Sequence, residues 1–432
     1  MAVSRVSTIA LIVASVLACA TQLPAQTVPS QSLNLDSLIV EALNNNPQIH
    51  AAHQRSVAAG RRIPQVSALP DPMVTYTRWL SPPETRVGPQ QDIFMLSQPV
   101  PFPGKLGLMG DMADADAAAA GARYEAARRD VVFSVKQAYY DLYWIDQSVD
   151  ILDDYLSLLR NFSKVAEQKY ATGEGIQASV LKSQVEISNI TERRLSLERM
   201  RKGAAARLNA LLSRPPDSPV PPAISIDTSA VKVSQRLLVE QALAERQELK
   251  IAEDMVQKSG FMKDLARKEY FPNFTLQASY ITVARRNSMA SDAGKDAYSV
   301  GIGINLPIQV GRRIAASEEA EATDQANRLS YDNLKNSVEA EIADLCFQLQ
   351  STRQTLDLYS QGLLVQAQSS LESAVSAYQT GKLDFLSLLD SERMVLQAKL
   401  GYVKELSNYR KIAAALQRAV GGSGLAGMEE AK

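Results

Sequence analysis

Tyr298-Ser299-Val300-Gly301-Ile302-Gly303-Ile304-Asn305-Leu306-Pro307-Ile308 is the stretch that decides the fold. Its even positions are apolar without exception, and its odd positions are serine, glycine, asparagine and proline. In an extended chain successive side chains point to opposite faces. One face of this segment is therefore greasy, and the other is small and polar. About ten such residues are what a strand needs to cross a bilayer with lipid on one side and a lumen on the other.

The same alternation occurs upstream in Phe274-Thr275-Leu276-Gln277-Ala278-Ser279-Tyr280. It occurs less cleanly near the start of the chain. There Val74, Tyr76 and Leu80 alternate with Thr75 and Thr77 until Arg78 interrupts. Phe94, Leu96 and Val100 share their stretch with Ile93 and Met95. The expected strands cover about 71–81, 92–102, 271–284 and 296–309. The soluble alternative is a pair of amphipathic hairpins packed on helices.

These strand pairs belong to a plan that occurs twice. Glu41-Ala42-Leu43, Gly60, Pro72 and Thr75 recur as Gln241-Ala242-Leu243, Gly260, Pro272 and Thr275, all at an offset of 200. Pro99-Val100 recurs as Pro307-Ile308, and Tyr170-Ala171-Thr172-Gly173 as Tyr378-Gln379-Thr380-Gly381, at an offset of 208. The insertion falls in the longer second loop, Arg285 to Lys295. The domains read as a first repeat over 33–214, a proline-rich connector over 215–234, a second repeat over 235–421 and a flexible tail over 422–432. Each repeat runs helix, strand, strand, very long helix, tight turn, helix, with the opening helices at about Leu35 to Gln65 and from near Gln235.

No proline occurs from Lys105 to Arg214 or from Ile308 to the end, as long helices require. Inside them Val131, Val135, Ala138, Leu142, Ile145, Val149, Leu152, Leu156 and Leu159 step by four and three. The second copy gives Val338, Ile342, Leu345, Leu349, Thr352, Leu356, Tyr359 and Leu363. This is the coiled-coil period and demands partner helices along the whole length. A helix over 105–172 is about 100 Å long at ~1.5 Å per residue, which describes a tube or a rod. Four strands per chain cannot close a barrel, and open edges are not tolerated in lipid. Eight strands fill their own bore, whereas twelve leave an aqueous hole. A trimer follows.

Residues 1–25 read as a secretory signal, with Arg5 followed by an apolar run from Thr8 to Ala18 that is too short for a permanent span. Val16-Leu17-Ala18-Cys19 also reads as a lipobox, in which case 1–18 is removed and Cys19 is lipidated. Cys346 is then the one internal cysteine, so no disulfide framework exists, and its place in the helical pattern suits a small buried hydrophobe.

Together these segments resemble the outer-membrane efflux (TolC-like) family over about Leu33 to Gly421. The duplicated order, the Tyr-x-x-Gly turns and Leu96-Ser97-Gln98-Pro99-Val100-Pro101-Phe102-Pro103-Gly104-Lys105 carry the likeness. That last segment, with Leu69-Pro70-Asp71-Pro72-Met73, is most similar to the branch serving metal-exporting pumps. The resemblance implies a mixed α/β membrane protein: a trimeric twelve-stranded outer-membrane β-barrel, continued by an α-helical barrel across the periplasm. It implies as partners a periplasmic membrane-fusion adaptor and an inner-membrane pump of the resistance–nodulation–division class, in a tripartite efflux or type I secretion system. The turns at Tyr170, Gly173, Tyr378 and Gly381 would be the tips that meet the adaptor. Asp390 falls on one of the family's two constriction aspartates, Ser387 replaces the other, and Leu383 stands where some members carry a gate arginine. Threefold symmetry would gather three Asp390 carboxylates into a cation-favouring ring.

Other chemistry is unsupported. With 46 Lys and Arg against 47 Asp and Glu, and no basic run, nucleic acid is not an expected partner. Two histidines, two cysteines and no phosphate-binding fingerprint leave no catalytic constellation, cofactor or metal site. Asp153-Asp154 reads as a solvated face. His50 and His53 with Met73, Met95 and Met289 read as surface and packing residues. The remaining alternative is a periplasmic coiled-coil scaffold without a pore.

Overall fold

The computed structural model describes residues 33–285, 291–421 and 428–431. The signal segment with Cys19, and Met289, lie outside the described residues. The first pass of the chain runs α1 (Leu35–Asn45), α2 (Pro47–Ser67), β1 (Met73–Arg78), β2 (Glu84–Thr85), β3 (Gly88–Val100), α3 (Lys105–Ala171) and α4 (Gln177–Leu211). After β4 (Ala230–Val233) the second pass runs α5 (Gln235–Glu245), α6 (Gln247–Lys268), β5 (Phe274–Val283), β6 (Ala297–Ile304) and α7 (Val310–Leu358). It continues through a π-helical turn (Tyr359–Leu363), α8 (Leu364–Gln379), α9 (Phe385–Val420) and β7 (Met428–Ala431). Among the described residues no helix is long and apolar enough to cross a membrane.

Each opening helix is broken, which corrects the single helix expected over 35–65. Pro47 lacks the N–H that a continuous helix would need and stands instead at the first position of α2, where that loss is harmless. Asn46 before it is extended, and its side chain accepts from the Gln48 N–H at 2.9 Å. The second pass breaks at Arg246 with no proline present. There the buried guanidinium reaches Glu341 at 2.7 Å and Glu248 at 3.2 Å. Ion pairing thus fixes in one pass the bend that proline fixes in the other.

Of the tail over 422–432 the described residues are 428–431. Met428–Ala431 pairs antiparallel with Ala230–Val233 of the connector, and the Tyr409 hydroxyl accepts from the Val231 N–H at 2.8 Å.

α3 is one unbroken helix of 67 residues. It packs on α2, α4, α6 and α9, and α9 packs in turn on α7 and α8. The main core is the predicted seam: Val131, Val135, Leu142, Ile145, Leu152, Leu156 and Leu159 from α3, with Val338, Ile342, Leu349 and Leu356 from α7, are all buried. Cys346 is buried among them, and burial pushes its thiol pKa up. Past Leu356 the structure departs from the expected steps at Tyr359 and Leu363. The π-helical turn inserts an extra residue into the helical repeat and rotates the rest of the helix about its axis. Leu371 and Ala374 are buried in place of positions reached by unbroken counting.

β1, β3, β5 and β6 form one antiparallel sheet in that order, with β2 attached to β3. The strands are somewhat displaced from the expected bounds. β3 starts at Gly88, and β6 ends at Ile304 before Pro307.

Candidate functional site

The sheet register sorts its side chains into horizontal bands. Tyr76 pairs with Phe94, Phe94 with Tyr280, and Tyr280 with Tyr298, so one row of four aromatic residues crosses the sheet on one face. The Tyr76 and Phe94 rings lie 5.1 Å apart, and those of Tyr280 and Tyr298 6.1 Å. Toward the loops the next positions are polar: Arg78, Asp92, Thr282 and Asp296. The Tyr76 hydroxyl donates to Asp92 at 2.8 Å and the Tyr280 hydroxyl to Asp296. Arg78, which seemed to interrupt the first strand, belongs to this rim and lies 3.7 Å from Asp92. On the other side of the aromatic row come Val74, Leu96, Ala278 and Val300, then the polar Gln98 with Leu276 and Ile302, then Val100, Phe274 and Ile304.

This face is open to its surroundings: Val300 is 89% and Ile302 74% exposed, and Leu306 and Ile308 extend it. From Tyr298 to Ile304 β6 covers about 20 Å at ~3.3 Å per residue. At a tilt of about 40° this is ~15 Å of height, more than half of the ~25 Å apolar band typical of an outer-membrane barrel. Aromatic residues with wet hydroxyls and apolar bodies suit the edge of such a band. The opposite face carries Thr75, Met95, Ser279 and Ser299, with the two serine hydroxyls 2.7 Å apart, then Met73, Ser97, Gln277 and Gly301.

A polar joint ties the sheet to the helices. The Lys105 ammonium, buried at the start of α3, donates to Asn273 Oδ1 at 2.9 Å and the Phe271 carbonyl at 3.3 Å, and pairs with Glu269 at 3.3 Å. Phe102 stacks on Phe271 at 4.7 Å.

At the far end both predicted turns close with a left-handed glycine, Gly173 at φ +78° and Gly381 at φ +69°. Their N–H groups donate to the carbonyls of Tyr170 and Tyr378, each at 3.1 Å. The turns touch: the Lys169 ammonium lies 4.4 Å above the Tyr378 ring, which also meets Phe385 edge-on at 6.0 Å. Tyr170 is exposed. Asp384 caps α9 by accepting from the Ser387 N–H at 2.7 Å, a bond that holds its carboxyl below the usual carboxylate range. Asp390 stands exposed one turn on, 3.4 Å from Arg393, and Arg393 is committed to Glu186 of α4, with its Nε at 3.0 Å.

Two features here escaped the sequence reading. Glu392 and Tyr155 are buried side by side in the helical packing, although Glu392 stands in the apolar stepping of Phe385, Leu389 and Leu396, where an acid is conspicuous. The aromatic row could not be seen before strand register was known. His50 and His53 are engaged separately, the first with the Asn44 carbonyl at 2.9 Å and the second edge-on to Tyr124 at 5.2 Å. No group of three or more His, Cys, Asp or Glu that could hold a metal ion occurs among the described residues.

Known proteins share much of this chain. The cobalt-zinc-cadmium resistance protein CzcC of Cupriavidus metallidurans is 22% identical over 416 residues, covering 90% of each chain. The cation efflux system protein CusC of Escherichia coli K12 is 25% identical over 176 residues, 39% of this chain and 38% of that protein. The solved structure of the outer membrane protein VceC of Vibrio cholerae superposes with a TM-score of 0.76 at 23% identity, over 90% of this chain and 96% of that one. The family model for outer membrane efflux proteins matches residues 38–214 and 238–422, and the chain belongs to that family, whose members are channel proteins of the outer membrane reaching into the periplasm.

Proposed function

We propose that this chain is one protomer of a trimeric exit duct, which passively conducts substrates delivered by an inner-membrane pump and a periplasmic adaptor. The observation that carries this reading is the banded sheet face: a polar rim, an aromatic row and an apolar band, on a sheet whose outer edges have no partner among the described residues. In lipid those edges must be paired. β1 runs toward the aromatic row and β6 away from it, so β6 of one copy set beside β1 of the next continues the antiparallel order. Three copies then close twelve strands around an aqueous bore.

The helices support the same stoichiometry. Within one chain they form a palisade, α4–α3–α9–α8, whose two flanks are apolar. Leu181, Val185 and Leu195 on α4 are exposed, as are Leu358, Leu363 and Val365 on the α7–α8 side. A second copy placed by the strand order covers one flank with the other. In such an assembly the tips at Tyr170, Gly173, Tyr378 and Gly381 meet the adaptor, and Asp390, with Ser387 beside it, lines the narrowing above them. The resistance and cation-efflux names of CzcC and CusC support metal cations as cargo and a resistance–nodulation–division pump as driver.

The test is fractionation followed by planar-bilayer recording, on the wild type and a Cys19→Ala variant. Detergent dependence with discrete ion conductance supports the duct. Release by salt with no conductance in either protein overturns it and favours a periplasmic scaffold.

A further inference from the structure

The α8–α9 hairpin has a small core of its own, while Phe385, Leu389 and Leu396 of α9 join the main one. Leu371, Ala374, Leu388 and Val395 form a small core apart from the main one. The hairpin joins α7 through the π-helical turn, where Tyr359 lies so close to Gly401 that no Cβ would fit between them.

Inside that hairpin Glu392 is 3% exposed, on the side of α9 that carries Leu388, Leu389, Val395 and Leu396. No hydrogen bond or ion pair reaches its carboxyl among those the described residues form. α3 presents Tyr155, whose buried hydroxyl has no partner among the described residues. α4 presents Glu186, already held by Arg393 of α9. α9 itself adds Asp390, leaning on the same Arg393, and Lys399, whose charge favours the ionised form of Glu392. α8 packs here through Leu371 and Ala374, and its acid Glu372 is exposed and accepts from Gln368. Burial pushes the Glu392 carboxyl up to about 7, so both protonation states are within reach near neutrality.

We propose that Glu392 is a proton-operated latch on the seam between the α8–α9 hairpin and α3, closing it when protonated and loosening it when ionised. The neutral acid is tolerated among these side chains. The carboxylate must take water or recruit the Tyr155 hydroxyl, and either demands that α9 shift from α3. The deeper seam around Leu142 and Leu349 contains no such group among the described residues, so the loosening is confined to the hairpin. Its meaning as regulation of the duct rests on the function proposed above, whereas its chemistry does not.

The test compares hydrogen exchange of the full-length protein with that of Glu392→Gln at matched pH, which cancels intrinsic exchange. For the segments 150–160 and 385–400 the wild-type to variant rate ratio is expected near one at about pH 4, below the ordinary carboxylate range. It is expected to rise about tenfold or more by about pH 8.5. A ratio independent of pH overturns the latch. Where the amide does not fold, Glu392→Met serves as the reference. Tyr155→Phe is expected to keep the pH dependence, and its loss there would move the titration to the phenol and overturn the assignment. In planar bilayers the conductance ratio of wild type to Glu392→Gln is expected to follow the same curve. A rising exchange ratio with no conductance at any pH supports the latch and defeats only the duct.

Discussion

The two helical hairpins share a plan and differ in how they are held. α3 runs without a break for 67 residues along the main core, and α4 lies along it. The matching hairpin of the second pass is interrupted by a π-helical turn, adds a small core to its share of the main one and buries an acid with no partner among the described residues. One sequence plan has thus produced a fixed wall and a wall attached through a joint. An extra residue in a helix rotates the apolar stripe by about 100°, since each residue turns the helix by that much, so α8 cannot continue the seam of α7.

Core truncation should separate the two hairpins by the widest margin. Leu142→Ala, at a fully buried seam position, should cost about 4 kcal/mol. Leu371→Ala in the small core should cost about half that, because its site can relax. Thermal unfolding in detergent checks both, and equal losses would make the hairpins one packing unit. Glycine substitutions sharpen the contrast. A Cβ at Gly401 has no room against Tyr359, whereas Gly203 in α4 has nothing within 4 Å. Gly401→Ala should therefore destabilise by about 2 kcal/mol, and Gly203→Ala should stabilise by about 0.5–1 kcal/mol through helix propensity.

Two buried acids should respond to pH in opposite directions. The folded-state pKa of Glu392 lies near 7, above its ordinary value, so wild-type stability is fullest below the ordinary carboxylate range and falls as pH rises through 7. Glu392→Gln should remove that fall, on the order of 2 kcal/mol above neutrality. Asp324, between α6 and α7, accepts from Arg328 at 3.1 Å, Lys263 at 3.0 Å and Ser259 at 3.2 Å, which hold it at about 2. Its contribution is present above the ordinary carboxylate range and is lost as pH falls through about 2. Asp324→Asn should lower neutral stability and flatten only this acid limb. Melting temperatures across the pH range check both signs.

Much of this was legible in the chain itself. The seam from Val131 to Leu159 needed only period counting, and Gly173 and Gly381 needed only the rule that a helix stop favours a left-handed residue. The break at Asn46 was marked by Pro47 and passed over. That at Arg246 carries no proline, and the more distant of its two carboxylate partners, Glu341, lies 95 residues away. The π-helical turn left a trace in Thr352, the polar lapse before the register changed. Row order across the sheet was hidden, since the pairing of β3 with β5 joins residues far apart in sequence. Arg78 therefore looked like an interruption when it is the rim.

The central claim is that the open sheet edges and the apolar palisade flanks are covered by further copies of this chain. The mass of protein in the purified detergent particle tests it most directly. Three chains per particle is the expected result, and a single chain that stays dispersed after detergent is withdrawn would contradict it.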